Sequence, residues 1–429
     1  MRFTSLADWL GWLEQSHPKE IDLGLDRIRR VAERLDLLSP RANVITVAGT
    51  NGKGSCVTAT AGLLQSAGFS AGVYTSPHLL HYAERIQING KPVTDELICA
   101  AFEIIANAAA EISLTYFEYS TLAALVIFKQ QDVDYIVLEV GLGGRLDAVN
   151  IIDADVAVIT SIAIDHQDWL GDNREDIGRE KAGILREQQL FVCADQNPPQ
   201  TILALAKQLN THAHFIGRDF SFTAQAQSWQ WQGKVATGEA IYLPPMRTPH
   251  LPLPSIAAAL QAVQLLNIEL TAEQIEQCLL SLVLAGRFQT LVFQGREFIL
   301  DVAHNPAATE YFARRLRAEP AAGKTFALVA MMSDKDRTAS LANLASLVDE
   351  WYLLDLAGIP RAATPIALAE NLAEFNAQVK ATGDIQNLMR EILTHAQPQD
   401  RILVFGSFFT VAAALTYLQA DSQVSRGFQ

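Results

Sequence analysis

The chain has 429 residues, with 33 lysines and arginines against 47 aspartates and glutamates, a formal net charge of −14, and 49 % hydrophobic residues. That length suggests two or three domains with sizeable cores, and the negative charge disfavours nucleic acid or an anionic membrane surface as a partner. No apolar run reaches the about 18 residues of a membrane-spanning helix, and Cys56, Cys99, Cys193 and Cys278 lack zinc spacing or a C-x-x-C pair, as expected of buried thiols in a reducing cytosol.

At the start of the chain Leu6, Trp9, Leu10 and Leu13 recur at helical spacing, with Asp8 and Glu14 between and after them. This pattern predicts an amphipathic helix docked on the body and not a secretory segment. Val44 to Ala48 reads as a short buried strand. Gly49-Thr50-Asn51-Gly52-Lys53-Gly54-Ser55 follows, and Ser55 to Ala67 reads as a helix ended by Gly68. Glycines that let backbone N–H groups converge, a helix N-terminus and a lysine together make a phosphate cradle. The strict P-loop pattern is not met, because its first glycine falls on Val47 and Gly54 stands where Ser or Thr should follow the lysine. The serine comes one place later. A structural strand–turn–helix corner is the competing reading.

A helix over about 120–129 leads into Tyr135 to Val140, and Val156 to Thr160 follows. Both are largely continuous apolar runs, typical of parallel strands covered on two faces. The alternation predicts a doubly wound, mostly parallel α/β sheet. Glu139, near the end of its strand, is a natural Mg²⁺ ligand beside a phosphate loop, or else a strand-end acid paired with a base such as Arg145. The loop 141–150 carries three glycines, Arg145 and Asp147 at a strand's carboxyl end, where such sheets bind ligands. His166, flanked by Asp165 and Asp168, lies after the next strand. Imidazole is an unusual Mg²⁺ ligand, so residue type alone does not assign it. Lys181 has three open readings: a surface lysine, a phosphate contact or, if carbamylated, a metal-binding carboxylate.

Residues 218–250, rich in Trp and Gln, read as a small β excursion. A proline run then leads to helices at about 255–266 and 271–284. Ala285-Gly286-Arg287 marks a hinge, dividing the chain into domains at 1–285 and 286–429. In the smaller second domain Thr290–Phe293 and Glu297–Val302 pair as a hairpin. Strands at Thr325–Ala330, Glu350–Asp355 and Arg401–Phe405 alternate with helices near 307–318, 338–348, 385–396 and 410–419. Asp301-Val302-Ala303-His304-Asn305-Pro306 follows an apolar strand, with Pro306 well placed to start a helix and Asn305 to cap it. Asp301 and His304 are thereby presented on a loop, and Arg287 sits where it could reach a nucleotide.

Several segments match one family in order over almost the full length: G-T-N-G-K-G-S (49–55), Y-T-S-P-H-L (74–79), E-R-I-Q-I-N-G (84–90), L-E-V-G-L-G-G-R-L-D-A-V-N (138–150), R-E-K-A-G-I (179–184), A-G-R-F-Q (285–289), D-V-A-H-N-P (301–306) and D-K-D (334–336). The chain resembles the bacterial folylpolyglutamate synthase/dihydrofolate synthase branch of the Mur ligase superfamily. The resemblance implies a P-loop domain of the Mur central type followed by a Rossmann-like domain. It also implies that Gly49, Thr50, Asn51, Gly52, Lys53, Gly54 and Ser55 hold ATP, and that Ser76, Glu139 and His166 bind Mg²⁺. Lys181 is similar to a lysine that is carbamylated and helps bind a second metal. Arg287 and Asp301 would contact ATP, and His304, Arg85 and Ser407 the glutamate or acyl-phosphate side. Ile21, Asp22 and Leu23 resemble a pteroate-binding segment, with Phe117 lining the same site and Arg145 a further substrate contact. One departure is Ser255, where the family often has an asparagine that contacts the nucleotide.

The implied reaction is ATP-dependent amide formation through an acyl phosphate, with L-glutamate as nucleophile and dihydropteroate or a reduced folate as acceptor. The catalytic set would be Lys53, Lys181, His304 and Asp301, in a cytoplasmic monomer. Rivals are a monofunctional folylpolyglutamate synthase and another Mur-type ligase. The latter would want a distinct N-terminal domain, and only about 43 residues precede the P-loop strand. A P-loop ATPase that drives motion leaves the D-V-A-H-N-P segment unexplained.

Overall fold

The computed structural model describes residues 2–19 and 21–420. They fall into two compact units, Met1–Leu282 and Val283–Gln429; residues 421–429 of the expected second domain lie outside the described residues.

The first unit is organised by β1 (Asn43–Ala48), β2 (Ala71–Tyr74), β3 (Ile86–Ile88), β4 (Lys91–Pro92), β5 (Tyr135–Glu139), β6 (Val156–Ile159), β7 (Leu190–Cys193) and β8 (His212–Phe215). Their order in the sheet is β4-β3-β2-β5-β1-β6-β7-β8. From β2 to β8 every pairing is parallel, whereas β3 and β4 add antiparallel strands at one edge. Strands β1, β5 and β6 are buried along nearly their whole length, which is why they read as apolar runs without alternation. Helices Lys53–Ser66, Asp95–Ala109 and Tyr116–Gln130 supply the crossover connections. On these strands Ile45, Val47 and Ile159 are fully buried. Burying one such side chain contributes about 1.5–3 kcal/mol.

The N-terminal helix is Leu6–Leu13, with Leu6, Trp9 and Leu13 buried. The expected β excursion is an antiparallel sheet of β9 (Ser221–Ala224), β10 (Ser228–Lys234), β11 (Ala240–Tyr242) and β12 (Met246–Arg247), with β10 the shared partner. Trp229 and Trp231 alternate inward on β10, and Trp231 Nε1 donates to Ala257 O at 3.2 Å. The next helix begins at Leu253, two residues before its expected start. Pro254 lies in its first turn, where a missing N–H costs nothing. Helices Asp26–Arg34 and Asp95–Ala109 were not among the sequence-based expectations.

The second unit holds β13 (Gln289–Phe293), β14 (Arg296–Asp301), β15 (Thr325–Val329), β16 (Glu350–Leu354), β17 (Val379–Gly383) and β18 (Arg401–Phe405), in the order β13-β14-β18-β15-β16-β17. Among these strands only the β13–β14 hairpin is antiparallel. Helix Pro365–Ala373 and edge strand β17 add to the expected elements.

Candidate functional site

Four adjacent strands, β2, β5, β1 and β6, send their carboxyl ends to one edge of the first sheet. The order of connection reverses about β1, and such a switch point is where open α/β sheets bind ligands. The loop after β1 is the glycine loop. Gly49 has φ +147°, and a Cβ there would stand 1.9 Å from Thr160 Oγ1; Gly52 has φ +84°, and a Cβ there would stand 2.5 Å from Ser255 Oγ. Both positions therefore exclude side chains on conformational and steric grounds.

The helix begins at Lys53, with Gly52 as its N-cap and no side-chain capping bond. Its first-turn amides and dipole suit an anion. In that first turn Ser55 is fully buried, and its Oγ has no hydrogen-bond partner. An orphaned buried hydroxyl at the head of such a helix fits a phosphate oxygen or a phosphate-bound divalent cation.

The loop after β6 braces this cradle. Thr50 N donates to Ser161 O at 2.7 Å, Thr50 Oγ1 donates to Ala163 O at 3.1 Å, and Ala163 N returns a bond to Thr50 Oγ1 at 3.0 Å. Thr160 Oγ1 and Ser161 Oγ donate to Asn51 O at 2.7 and 3.1 Å. Sequence reasoning took this segment for His166 alone. Two hydroxyl residues at a buried strand's end, Thr160 and Ser161, were the signal of its bracing role.

Lys53 Nζ donates to Gly49 O at 2.9 Å and to Thr50 O at 3.3 Å. Lys181, at the end of helix Arg174–Ala182, is buried and donates to the same Gly49 O at 3.0 Å. Burial and the nearby Lys53 charge lower its pKa to about 7, against the pull of Asp165 and Asp147. A surface role for Lys181 is thereby removed.

Glu139, the last residue of β5, is buried and lies in register with Val47 of β1. Its Oε2 lies 3.4 Å from Ser76 N, on the loop after β2. Ser76 and Glu139 thus come together. His166 lies in the loop after β6, with φ +53°, capping helix Gln167–Leu170, 4.0 Å from Asp165 Oδ2. Among the described residues no group of three or more His, Cys, Asp or Glu side chains could hold a metal by itself. A magnesium site of one or two carboxylates completed by phosphate oxygens and water needs no such group.

Arg145 does not pair with Glu139. Its Nε and Nη2 donate to Glu180 Oε1 at 3.1 and 2.9 Å. The reason is local, since Arg145 N also binds Glu180 O at 2.8 Å and so holds the two residues side by side. Asp147 is buried and accepts from Leu142 N at 2.8 Å and Val149 N at 3.1 Å. Burial raises its pKa to about 6, partly offset by these backbone bonds and by Lys53.

The expected pteroate segment lies beside helix Tyr116–Gln130. Asp22 accepts from Arg27 Nη1 at 2.7 Å and lies 3.3 Å from His17 Nε2; Arg27 Nη2 lies 3.3 Å from Glu118 Oε1. Some burial raises the Asp22 carboxyl, but Arg27, Lys19 and His17 outweigh it and hold the group below its ordinary range. Ile21 and Leu23 flank this ion pair and are half-buried. The Phe117 ring packs against Gly141, where a Cβ would meet it at 2.5 Å, and lies 5.9 Å from the Tyr74 ring. Arg85 is buried and donates from Nε to His78 Nδ1 at 2.8 Å.

Within the second unit, Asp301 ends β14 and accepts from Phe288 N at 2.8 Å and Ala303 N at 2.9 Å. It so ties the A-G-R-F segment to the D-V-A-H-N-P loop. Arg287 lies with Cζ 5.2 Å from the Phe408 ring centre. His304 Nδ1 lies 2.8 Å from Val302 O, which can only accept, so the proton is on Nδ1. Asn305 caps helix Pro306–Ala318. Thr410 gives its hydroxyl proton to Ala330 O, so Ser407 Oγ donates to Thr410 Oγ1 at 2.7 Å and accepts from Thr410 N at 3.0 Å.

Comparison with known proteins gives consistent matches. Residues 47–240 match the Mur ligase middle domain, and residues 286–408 the Mur ligase glutamate ligase domain. A dihydrofolate synthase/folylpolyglutamate synthase of Escherichia coli K12 is 43 % identical over 97 % of this chain and 96 % of its own length. A solved structure of E. coli FolC in complex with DHPP and ADP superposes with a TM-score of 0.92 at 42 % identity, covering 97 % of this chain and 98 % of that one. A bifunctional folylpolyglutamate synthase/dihydrofolate synthase with Mn, AMPPNP and L-glutamate bound gives 0.89 at 44 % identity, covering 97 % and 98 %.

Proposed function

The chain belongs to the Mur ligase family, and from that premise we propose that it is a bifunctional dihydrofolate synthase/folylpolyglutamate synthase. It is an ATP-dependent, ADP-forming ligase that adds L-glutamate to dihydropteroate and to the γ-carboxyl of reduced folates. The observation that carries this reading is the glycine loop with Lys53 and the buried, partnerless Ser55 hydroxyl, in a chain that matches its folate relatives almost end to end.

The chemistry follows from the groups. A carboxylate is a poor acyl donor until activated. Its oxygen attacks the γ-phosphorus, the bond to the β-phosphate oxygen breaks, and ADP leaves an acyl phosphate. The amine of L-glutamate, having lost a proton, attacks the acyl carbon; the tetrahedral intermediate expels phosphate and leaves the amide. The glycine-loop amides and Lys53 hold the phosphates and offset charge on the transferring group. Mg²⁺, when bound, supplies further charge neutralisation, and Ser55, Ser76, Glu139 and His166 are the residues we assign to it.

Lys181 is assigned to a second ion as its carbamate. Its uncharged amine would add to CO₂, forming an N–C bond and releasing a proton, and a pKa near 7 supplies that uncharged amine at neutral pH. In the second unit we assign Arg287 and Asp301 to the nucleotide and His304 and Ser407 to glutamate. Asp22, Phe117 and Arg145 are assigned to the acceptor, and the protein to the cytoplasm as a monomer. Ser255 approaches Gly52 closely, so its contribution to ATP binding is to seat the glycine loop.

ADP release with MgATP and L-glutamate, with dihydropteroate or tetrahydrofolate as acceptor, tests the reading. Turnover with both is expected. Turnover with tetrahydrofolate alone reduces the protein to a monofunctional folylpolyglutamate synthase, and turnover with neither returns it to the other Mur-type ligases.

A further inference from the structure

One cation in the first unit is not explained by its neighbours. Arg85 is only 8 % exposed, and a buried guanidinium is costly unless a counter-ion or hydrogen bonds replace its water. Among the described residues no carboxylate lies within ion-pair distance of it. Its partners are His78, through the 2.8 Å bond from Nε, and the rings of Tyr82 and Tyr116, each with its centre 5.6 Å from Cζ. Neither terminal nitrogen is among the fully buried atoms that lack a partner. The outer fork of the guanidinium therefore reaches accessible space.

The surroundings hold this arrangement in place. Arginine can only donate, so His78 Nδ1 is the acceptor and the imidazole proton lies on Nε2. Glu84 fixes the preceding loop by accepting from Leu79 N at 2.7 Å, Leu80 N at 2.9 Å and His81 N at 2.7 Å. Tyr82 is anchored through its hydroxyl, which donates to Ser120 Oγ at 2.8 Å. The Nε edge of the guanidinium is thus occupied by imidazole and two aromatic rings lie beside it, and what is left is the pair of terminal nitrogens, whose N–H groups match a carboxylate.

We propose that His78 is a positioning residue for the ligase reaction: by accepting the Nε–H of Arg85 it sets the guanidinium plane, so that the two terminal nitrogens receive a substrate carboxylate. This rests on the ligase reading above and goes beyond it in giving His78 a role. The carboxylate belongs either to L-glutamate or to the acceptor, and the test separates the two.

The experiment is steady-state ADP release by the full chain with MgATP, varying L-glutamate and tetrahydrofolate in turn. It compares the unaltered protein with His78→Ala, His78→Asn, Arg85→Lys, Arg85→Ala and the double variant His78→Ala/Arg85→Ala. His78→Ala is expected to raise the KM of one carboxylate substrate about tenfold, the size of a lost charge-assisted hydrogen bond, with the KM for ATP unchanged. Arg85→Lys and Arg85→Ala raise the KM of that same substrate, and the double variant is no worse than Arg85→Ala. His78→Asn, whose Oδ1 can stand in for Nδ1, recovers most of the loss. Whichever KM moves identifies the carboxylate. If His78→Ala does not fold, His78→Phe, which keeps a ring and cannot accept the Arg85 Nε–H, takes its place in the same comparison with His78→Asn. An unmoved KM in the His78 variant that cannot accept, or a loss that also raises the KM for ATP and is not recovered by asparagine, overturns the positioning role alone. An unaltered protein that releases no ADP with any acceptor overturns the ligase reading, and the positioning role with it.

Discussion

Lys53 and Lys181 donate to the same acceptor, the backbone carbonyl of Gly49, at 2.9 and 3.0 Å. Burial lowers the pKa of Lys181, and the repulsion between two charged amines on one carbonyl lowers it further. In the function we propose, the pair divides the work: Lys53 supplies the charge that phosphate needs, and Lys181 is the amine held close to its uncharged form.

Lys53→Ala is therefore expected to reduce ADP release at least about a hundredfold, the scale of losing one preorganised donor to a transferring group. Its melting temperature should stay near that of the unaltered protein. Near-normal turnover would remove Lys53 from phosphoryl transfer.

Lys181→Ala should lose activity and regain part of it when short-chain carboxylic acids are added, because such an acid can occupy the space of a lysine carbamate. Activity assayed against acetate and formate concentration checks this. A loss with no recovery at any acid concentration would argue that the lysine acts as an amine.

Gly52→Ala places a methyl group 2.5 Å from Ser255 Oγ at a φ of +84°. The KM for ATP should rise and the melting temperature fall. Adding Ser255→Gly should restore part of the stability and not all of it, since left-handed backbone strain of about 1–2 kcal/mol persists at an alanine. Thermal melts of the two variants, with and without ATP, separate the two costs.

Asp147 gives a pH signature. Burial raises its folded pKa to about 6 from an ordinary 3.8. Between those values the folded chain holds a proton that the unfolded chain has released, so this group's contribution to stability falls as pH rises from about 4 to about 6 and is level above that. Asp147→Asn has no such titration. The stability difference between the two proteins, from urea melts, should therefore shift in favour of the variant across that interval.

Much of the first unit was legible because its central strands are buried on both faces, and apolar runs such as Tyr135 to Leu138 leave little choice of register or role. The glycine loop was legible for a related reason, since Gly49 and Gly52 each answer a steric demand. What stayed hidden was set by tertiary neighbours. Nothing near Arg145 in the sequence says that Glu180, and not Glu139, is its partner. Asp22 reads as a lone acid until Arg27 and Glu118 are seen to share its network. Strand β17 alternates weakly and contains Lys380 and Gly383, so its membership of the sheet comes from pairing with β16 and not from its own propensity.

The bracing of Thr50 and Asn51 by Thr160, Ser161 and Ala163 has a consequence for how the protein is made. The phosphate loop emerges from the ribosome more than a hundred residues before the segment that holds it in shape. A nascent or truncated chain that stops before β6 carries the whole glycine motif and still lacks its tether. If the loop holds ATP as we propose, a labelled ATP analogue would report on chains that have paired β6 with β1 and pass over those that have not.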